Sequence, residues 1–279
     1  RHMGRLATLT AGDSIRFVIL CLFAVFYVLP IYLLAITSLK PFEDITFSTM
    51  WAMPKGFYLD GIVQAWTYVS QNFISSIIVT VPASILSSIL GSFNGYLFAK
   101  WRFPGSRTLF LMVLFGIFLP YQGILIPLVQ VLGALDLYGK YIGLIIVHIV
   151  FGIPITTLIF RGYYVSVPDE LVDAARIDGS GILGVYRHIM LPLAMPAFGV
   201  SMIWQFTSIW NDYLIGVVVL SNPDMRTVMV AVKNLTGSFF TNYGAQMAAA
   251  LIAASPTIIV YLALSSLFHR GLLAGSVKG

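Results

Sequence analysis

The sequence predicts an all-α membrane protein that crosses the bilayer six times, with a cytoplasmic helical loop between the fourth and fifth crossings. Of its 279 residues, 58% are hydrophobic and only 10% are charged, whereas a soluble domain carries about 25% charged residues. Apolar runs of about 20 residues, the length that spans a bilayer as a helix, recur six times along the chain. A polar stretch at residues 161–191 separates the fourth run from the fifth.

Each apolar run is predicted to be a helix, because a backbone in hydrocarbon must satisfy its own hydrogen bonds. The first run is too long for the core of a signal peptide and lacks a following small-residue cleavage site, so we retain it as a span. Pro120 is predicted to break or kink the third span, and Pro82 and Pro256 to bend the second and sixth. The predicted spans are residues 15–39, 73–99, 108–132, 141–160, 194–220 and 248–268.

The distribution of lysine and arginine predicts the orientation. With six spans both termini lie on one side, and that side carries 11 of the 16 basic residues. The side richer in lysine and arginine faces the cytoplasm. The predicted segments are a cytoplasmic amino-terminal segment 1–14, a membrane domain 15–268 with cytoplasmic loop 161–191 and outer loops 40–72 and 221–247, and a cytoplasmic tail 269–279.

Several kinds of site are excluded by what the sequence lacks. A single cysteine, Cys21, allows no internal disulfide and no cysteine-based metal site. No phosphate-binding Gly-x4-Gly-Lys loop, Gly-x-Ser-x-Gly elbow or His-Glu-x-x-His motif is present, so we predict no catalytic residue, no metal and no cofactor on this chain. The net charge of +5 is expected to face anionic lipid, and no basic stripe is dense enough for nucleic acid.

The polar loop is predicted to contain two helices. Ser166 is placed to cap a helix over residues 167–177, and Gly179 can adopt a left-handed backbone that ends it. Ser180 is placed to cap a second helix through Met190. One face of this second helix is apolar, and such a face can seat in a groove on a partner protein or lie on lipid. That face consists of Ile182, Val185, Tyr186 and Ile189.

The loop also carries a motif. The pattern Asp173-Ala174-Ala175-x3-Gly179-x9-Ile189-x-Leu191-Pro192 resembles the coupling loop, or EAA motif, of ABC importer permeases. The family usually has glutamate where this chain has Asp173, so Glu170 is a second candidate for the charge, and pairing with Arg176 is an alternative role for Asp173. The resemblance implies docking on an ATP-binding subunit through Glu170, Asp173, Ala174, Ala175, Gly179, Ile182, Val185, Tyr186, Ile189, Leu191 and Pro192.

Three further segments resemble the carbohydrate-uptake group of these permeases, similar to the smaller permease subunit of the maltose transporter. They are the ending 271–279, the run 210–214, and Leu119-Pro120 with the Ile-Pro-Leu run 126–128. The resemblance implies sugar import, and a tail that contacts the ATP-binding subunits through Gly275 and Lys278. The alternative for the tail is a disordered stub.

The resemblance implies an assembly in a bacterial or archaeal cytoplasmic membrane. Its other members would be a second related permease, two ATP-binding subunits that hold ATP and Mg, and an extracytoplasmic sugar-binding protein. Two alternatives remain open. One is an ABC permease for a non-sugar solute, and the other is a secondary transporter driven by an ion gradient. The latter would need acids along the spans, where Asp212 is the main candidate.

A sugar path needs hydrogen-bonding groups for hydroxyls and aromatic faces for the ring. One cluster in the fifth span offers both kinds of group, although interhelical hydrogen bonding is the competing role. His148 is predicted to serve packing or hydrogen bonding between helices, because no acid lies three or four residues from it. The candidate path residues are Trp204, Gln205, Trp210, Asn211, Asp212 and Tyr213.

Overall fold

The computed structural model of the chain describes residues 11–101, 103–237 and 242–276, and all regular structure in these ranges is helical. Short 3-10 turns lie between several helices. The helices are α1 (Ala11–Ser38), α2 (Asp60–Lys100), α3 (Ser106–Phe115), α4 (Leu125–Ala134), α5 (Tyr141–Val165), α6 (Asp169–Ile177), α7 (Ile182–Leu193), α8 (Met195–Trp210), α9 (Leu214–Val219), α10 (Val228–Gly237) and α11 (Tyr243–Ser276).

Four helices, α1, α2, α5 and α11, are each long and apolar enough to cross a bilayer. Two bent pairs add to this number. Helices α3 and α4 meet at 90°, and α7 and α8 meet at 78°. The number of spans among the described residues is therefore four, or up to six if each bent pair forms one crossing.

The third predicted span is broken at Pro120, as the sequence predicted. The helical path ends at Phe118 and resumes at Tyr121, and both Leu119 and Pro120 have extended backbone. Proline lacks an N–H group and disfavours helical backbone in the residue before it, which explains the gap. By contrast, α2 continues through Pro82 and α11 through Pro256 without a break in the helix.

The fifth predicted span is not one helix. The chain bends at Ala194, and a second gap at residues 211–213 separates α8 from α9. In the second gap the Asp212 carboxylate accepts hydrogen bonds from the backbone N–H groups of Ile215 and Gly216. A carboxylate that accepts these free N–H groups starts a new helix, so the polar residues here interrupt the span.

The described chain divides into two compact units. The first contains α1, the 39–59 connection, the first turns of α2 and part of α11. No residue in the most apolar stretch of α1 is buried. Within this unit Asn242 Nδ2 donates to Gln64 Oε1 at 2.6 Å, and the buried Lys40 Nζ donates to the Thr49 carbonyl at 2.8 Å.

The second unit, residues 69–234 with the rest of α11, contains the loop motif and the polar cluster. Small residues along α2 let α5 and α8 approach closely, as in many membrane bundles. A Cβ atom added at Gly91 would overlap the Thr156 side chain. Ser88 and Ser201 share a hydrogen bond of 2.8 Å. The close contact fixes the three helices that position the two regions described next.

Candidate functional site

The first region is the 166–193 segment, which begins with the link from α5 to α6. Ser166 Oγ donates to the Tyr163 carbonyl at 2.7 Å, so this side chain completes the end of α5. The prediction that Ser166 caps the next helix is wrong, because Pro168 occupies the capping position without a side-chain hydrogen bond. Helix α6 instead begins with Asp169 and Glu170, whose charges suit the positive end of the helix dipole.

Helix α6 ends as predicted at Gly179, which has a φ of +84°. The Gly179 N–H donates to the Arg176 carbonyl at 3.0 Å, and the Ser180 N–H donates to the Ala175 carbonyl at 2.9 Å. This pair of bonds is the Schellman arrangement, which satisfies the last carbonyls of a helix. The predicted cap at Ser180 is wrong, since α7 starts after Gly181 without a side-chain cap.

Ionic and aromatic contacts fix α6 to the end of α2. Lys100 Nζ bonds both the Asp169 carboxylate and the Val167 carbonyl, and its side chain is only 4% exposed. The Arg176 guanidinium lies 4.2 Å from the centre of the Trp101 ring. These contacts lie at opposite ends of α6, so both its position and its direction are tied to α2.

Arg176 also pairs with Asp173, at 3.2 Å from Nη1 to Oδ1. This local pair was the alternative role for Asp173, and it is present in the structure. Both side chains remain partly exposed, at 38% for Arg176 and 63% for Asp173. Such a pair contributes at most about 1 kcal/mol. Asp173 therefore remains accessible to another cation.

The predicted apolar face of α7 points mostly into the protein, so its assignment as an outward docking face is wrong. Val185 has no exposed surface, and the Tyr186 ring packs against Phe93 and Tyr96 with ring centres 5.1 and 5.5 Å apart. Neighbouring helices already cover this face, which helical periodicity alone does not reveal. Of the four residues only Ile182 is exposed, at 41%.

Other apolar side chains of the segment are exposed. Ile177 is 86% exposed and Leu183 is 68% exposed. Both flank the turn at Gly179, and a large apolar residue next to a helix-ending glycine was a usable signal in the sequence. We call Ile177, Ile182 and Leu183 the apolar tip. Among the other motif residues, Glu170, Ala174 and Pro192 are exposed, Ile189 and Leu191 are half-buried, and Ala175 is buried.

The carboxyl-terminal prediction is only partly within the described residues. Gly275 lies in the last turn of α11. Lys278 lies outside the described residues. The contact of this tail with ATP-binding subunits stays a prediction.

The second region is a cavity of about 520 Å³. It lies where the gap in the third span meets α5 and the gap between α8 and α9. Interrupted helices line cavities in transporters, because non-helical backbone is tolerated only away from lipid. The lining residues are Gly116, Ile117, Leu119, Tyr121, His148, Phe151, Ile155, Trp204, Ser208, Asn211, Asp212, Tyr213, Leu214 and Ile215.

Asp212 and His148 face each other in the cavity wall. The distance from Asp212 Oδ2 to His148 Nε2 is 3.9 Å, and the side chains are 12% and 7% exposed. The Gly216 N–H donates to the same Asp212 oxygen at 2.9 Å. The sequence analysis considered only acids three or four residues from His148 on its own helix, so it did not identify Asp212 as a neighbour. The acid comes from a different helix end.

Four of the six predicted path residues line the cavity and two do not. Trp204, Asn211, Asp212 and Tyr213 belong to the wall, and the Trp204 side chain is 56% exposed. The other two, at positions 205 and 210, are buried in the core, so their assignment to the path is wrong. The polar and aromatic lining residues that sequence reasoning did not assign to the path are His148, Tyr121, Phe151 and Ser208.

The two misplaced residues hold helices together. Gln205 Nε2 donates to the Gly152 carbonyl at 2.9 Å, and Trp210 Nε1 donates to the Ala253 carbonyl at 2.8 Å. Trp210 also stacks on Phe206 with ring centres 5.6 Å apart. Their polar atoms are thus satisfied by backbone, the role of interhelical bonding that the sequence left open.

Comparison with known proteins gives a family match. The sequence profile described as "Binding-protein-dependent transport system inner membrane component" matches residues 87–273. This range includes both the 166–193 segment and the cavity.

Relatives with assigned names cover most of the chain. A xylose/arabinose import permease protein of Haloferax volcanii is 32% identical over 282 residues, 92% of this chain and 91% of that protein. An arabinooligosaccharide transport system permease protein of Bacillus subtilis is 29% identical, over 100% of this chain and 99% of that protein. A probable ABC transporter permease protein of Pyrococcus horikoshii is 49% identical over 174 residues, 62% of this chain and 63% of that relative's length.

A solved structure shares the fold. One chain of a bacterial ABC transporter involved in the import of the acidic polysaccharide alginate aligns with a TM-score of 0.79. The alignment covers 96% of this chain and all of that chain, at 20% sequence identity. At this identity the likeness shows the fold alone.

Proposed function

This chain belongs to the family of inner membrane components of binding-protein-dependent transport systems, and we propose that it is the permease subunit of an ATP-driven sugar importer. The family consists of multi-pass membrane subunits that work in a complex with other subunits, and a separate subunit hydrolyses ATP. Sugar as the cargo is supported by the named relatives from Haloferax and Bacillus.

The observation that carries the proposal is the attachment of α6 to α2. A loop that transmits work must not flex where it meets the membrane helices. Here Lys100 and Trp101 hold both ends of α6, and the Schellman turn presents the apolar tip outward. We assign this tip, together with the exposed acids Glu170 and Asp173, to docking on an ATP-binding subunit.

The proposed topology has six spans, with both bent pairs counted as crossings and both termini in the cytoplasm. The 166–193 segment then lies on the cytoplasmic side between the fourth and fifth spans. The proposed partners are a second related permease, two ATP-binding subunits with ATP and Mg, and an extracytoplasmic sugar-binding protein. The tail from Gly275 through Lys278 is assigned to the ATP-binding subunits.

In the proposed cycle, closure of the ATP-binding subunits moves the apolar tip, and α6 carries the motion into α2. The two permeases then open the cavity to the outside, and hydrolysis restores the inward state. Shifting such an equilibrium from 1:99 to 99:1 requires about 5.5 kcal/mol. A single exposed ion pair provides about 1 kcal/mol at most, so nucleotide-driven closure must supply most of this energy.

Cysteine crosslinking tests the docking surface. Cys21 is the only cysteine in the sequence, so a Cys21→Ser background allows single probes. Ile177→Cys and Leu183→Cys are expected to crosslink to the ATP-binding subunit in the purified complex. Val185→Cys is the matched control, because Val185 is fully buried in the same segment. Absence of crosslinks at both exposed positions would overturn the docking assignment.

One observation favours a second candidate function. The Asp212–His148 pair in the cavity is an arrangement that proton-driven transporters also use. Uptake in proteoliposomes separates the two mechanisms. We expect uptake to stop on ATP depletion and to continue with a protonophore. The reverse pattern would establish the ion-gradient mechanism. A permease for a non-sugar solute is the third outcome, in which ATPase activity responds to another cargo and to no sugar.

A further inference from the structure

The ionisable side chains of the cavity wall include no permanently cationic group. Among its lining residues are one acid, Asp212, and one histidine, His148, but no lysine and no arginine. His148 lies within 3.9 Å of Asp212, and both side chains are largely buried. An unpaired charge is costly in such a place, so a positive charge on His148 would need the negative charge of Asp212 beside it. The wall as a whole is neutral or negative.

We infer that this cavity accepts uncharged sugars and excludes sugars that carry a carboxylate. A carboxylate entering the cavity would lose part of its hydration without gaining a cationic partner from this wall. It would also meet the Asp212 carboxylate as a like charge. A neutral sugar avoids both costs. The inference rests on the proposed function, and it narrows the cargo class to neutral sugars.

The wall also provides what a neutral sugar needs. The weaker hydrogen bond to Asp212, 3.5 Å from the Ile215 N–H to Oδ1, leaves that oxygen able to accept from a hydroxyl. Ser208 and Asn211 are exposed at the carboxyl-terminal end of α8. The exposed Trp204 ring offers an apolar face beside them. Groups that accept a hydrogen bond from a sugar hydroxyl, groups that donate one to it, and an aromatic surface thus occur together.

Asp212 also holds a structural position, and this shapes the choice of variant. Its carboxylate accepts the first N–H groups of α9. Asparagine retains an acceptor oxygen and serves this capping role about as well as aspartate. Asp212→Asn therefore removes the charge and keeps the helix start. Asp224→Asn is the matched control, because Asp224 is an exposed acid outside the cavity wall.

The test is direct binding to the complete transporter complex in lipid nanodiscs, without the sugar-binding protein, so that only the membrane path selects. The probes are two pairs that differ only at C6: glucose with glucuronate, and galactose with galacturonate. Saturation-transfer NMR gives the relative affinities. Quenching of Trp204 fluorescence, absent in Trp204→Phe, assigns the signal to this cavity.

We expect each neutral sugar to bind at least tenfold more tightly than its acid partner. Asp212→Asn should reduce this ratio at least tenfold, and Asp224→Asn should leave it unchanged. Ser208→Lys gives a second, independent test, since a cation placed on the wall should raise the affinity for both sugar acids. The inference is overturned if wild-type complex binds both members of a pair equally, or if neither cavity variant changes the ratio.

These outcomes separate the inference from the proposed function. If sugars stimulate ATPase activity but the affinity ratio is near one, the charge selectivity fails and sugar import stands. If no sugar of either kind binds or stimulates ATPase activity, both fall together.

Discussion

Lys100, in the last turn of α2, forms an ion pair with Asp169, in the first turn of α6, and the two partners differ sharply in exposure. The lysine side chain is 4% exposed and the aspartate side chain is 73% exposed. The lysine also bonds the Val167 carbonyl, just before α6 begins. These side-chain contacts tie the end of the long helix α2 directly to the start of the short helix α6.

Lys100→Met should uncouple ATP hydrolysis from transport. The variant removes two hydrogen bonds of a charged group, a loss of about 1–3 kcal/mol in the free energy of unfolding. We expect ATPase activity to persist while uptake falls at least tenfold, measured on the same proteoliposomes. The control is Lys140→Met, which removes an exposed pair with Asp136 and should change stability by about 0.5 kcal/mol or less. Full coupling in Lys100→Met would contradict the rigid link.

Gly179→Pro should abolish transport and leave membrane insertion intact. Proline is fixed near φ −65°, whereas this backbone has a φ of +84°, and the variant also loses the N–H bond to Arg176. Gly179→Ala should cost about 1–2 kcal/mol, the penalty of a left-handed residue with a side chain.

Gly181→Ala is the control for both variants. Gly181 has a φ of −77°, and a Cβ atom added there would meet open space, so its replacement should leave uptake and melting temperature unchanged. Normal uptake by Gly179→Pro would show that the turn does not transmit force.

Trp210→Phe should lower the stability of the protein, whereas Trp204→Phe should lower its affinity for sugar. Trp210→Phe removes the donor to the buried Ala253 carbonyl, so we expect a loss of about 1–3 kcal/mol in stability. Trp204→Phe alters only an exposed cavity surface and should weaken sugar affinity with little change in melting temperature. Thermal unfolding and sugar binding on both variants check the assignment. An equal effect of the two variants on affinity would return Trp210 to the path.

Lys40 should give the 39–59 connection a pH dependence. Burial lowers the pKa of Lys40, and the nearby Asp44 opposes this shift in part. Because the folded loop binds the proton more weakly than the unfolded chain does, its stability should rise as pH increases from the lowered pKa to the ordinary lysine value. Limited proteolysis at alkaline pH should show increasing protection of residues 41–52. Lys40→Met should remove this dependence, and a wild-type loop whose protection is constant would refute it.

Local signals in the sequence were sufficient for much of the fold. The gap at Pro120 and the left-handed turn at Gly179 were both predicted, because each depends on the backbone chemistry of one residue. The loss of helix at Asp212 was missed, although its cause is also local. A polar residue inside an apolar run was interpreted as part of the span, and its ability to cap a new helix was overlooked.

Side-chain partners from distant parts of the chain could not be predicted in the same way. Helical spacing placed Val185 on an apolar face, but it did not indicate whether the protein or a partner covers that face. The same spacing put Trp210 beside Asn211 without showing that its indole reaches α11. The pairing of His148 with Asp212 depends on how α5 packs against the end of α8, which periodicity within one helix does not contain.

The close contact between α2 and α5 at Gly91 and Gly95, which we call the seam, limits how the transporter can be engineered. A methyl group at Gly91 would overlap Thr156, and one at Gly95 would lie 2.7 Å from the Arg161 backbone nitrogen. Backbone and branched side chains cannot yield there as a flexible side chain can. Libraries intended to change the cargo should therefore leave this seam unaltered and diversify the wall around Ser208 and Trp204, where added atoms meet open space.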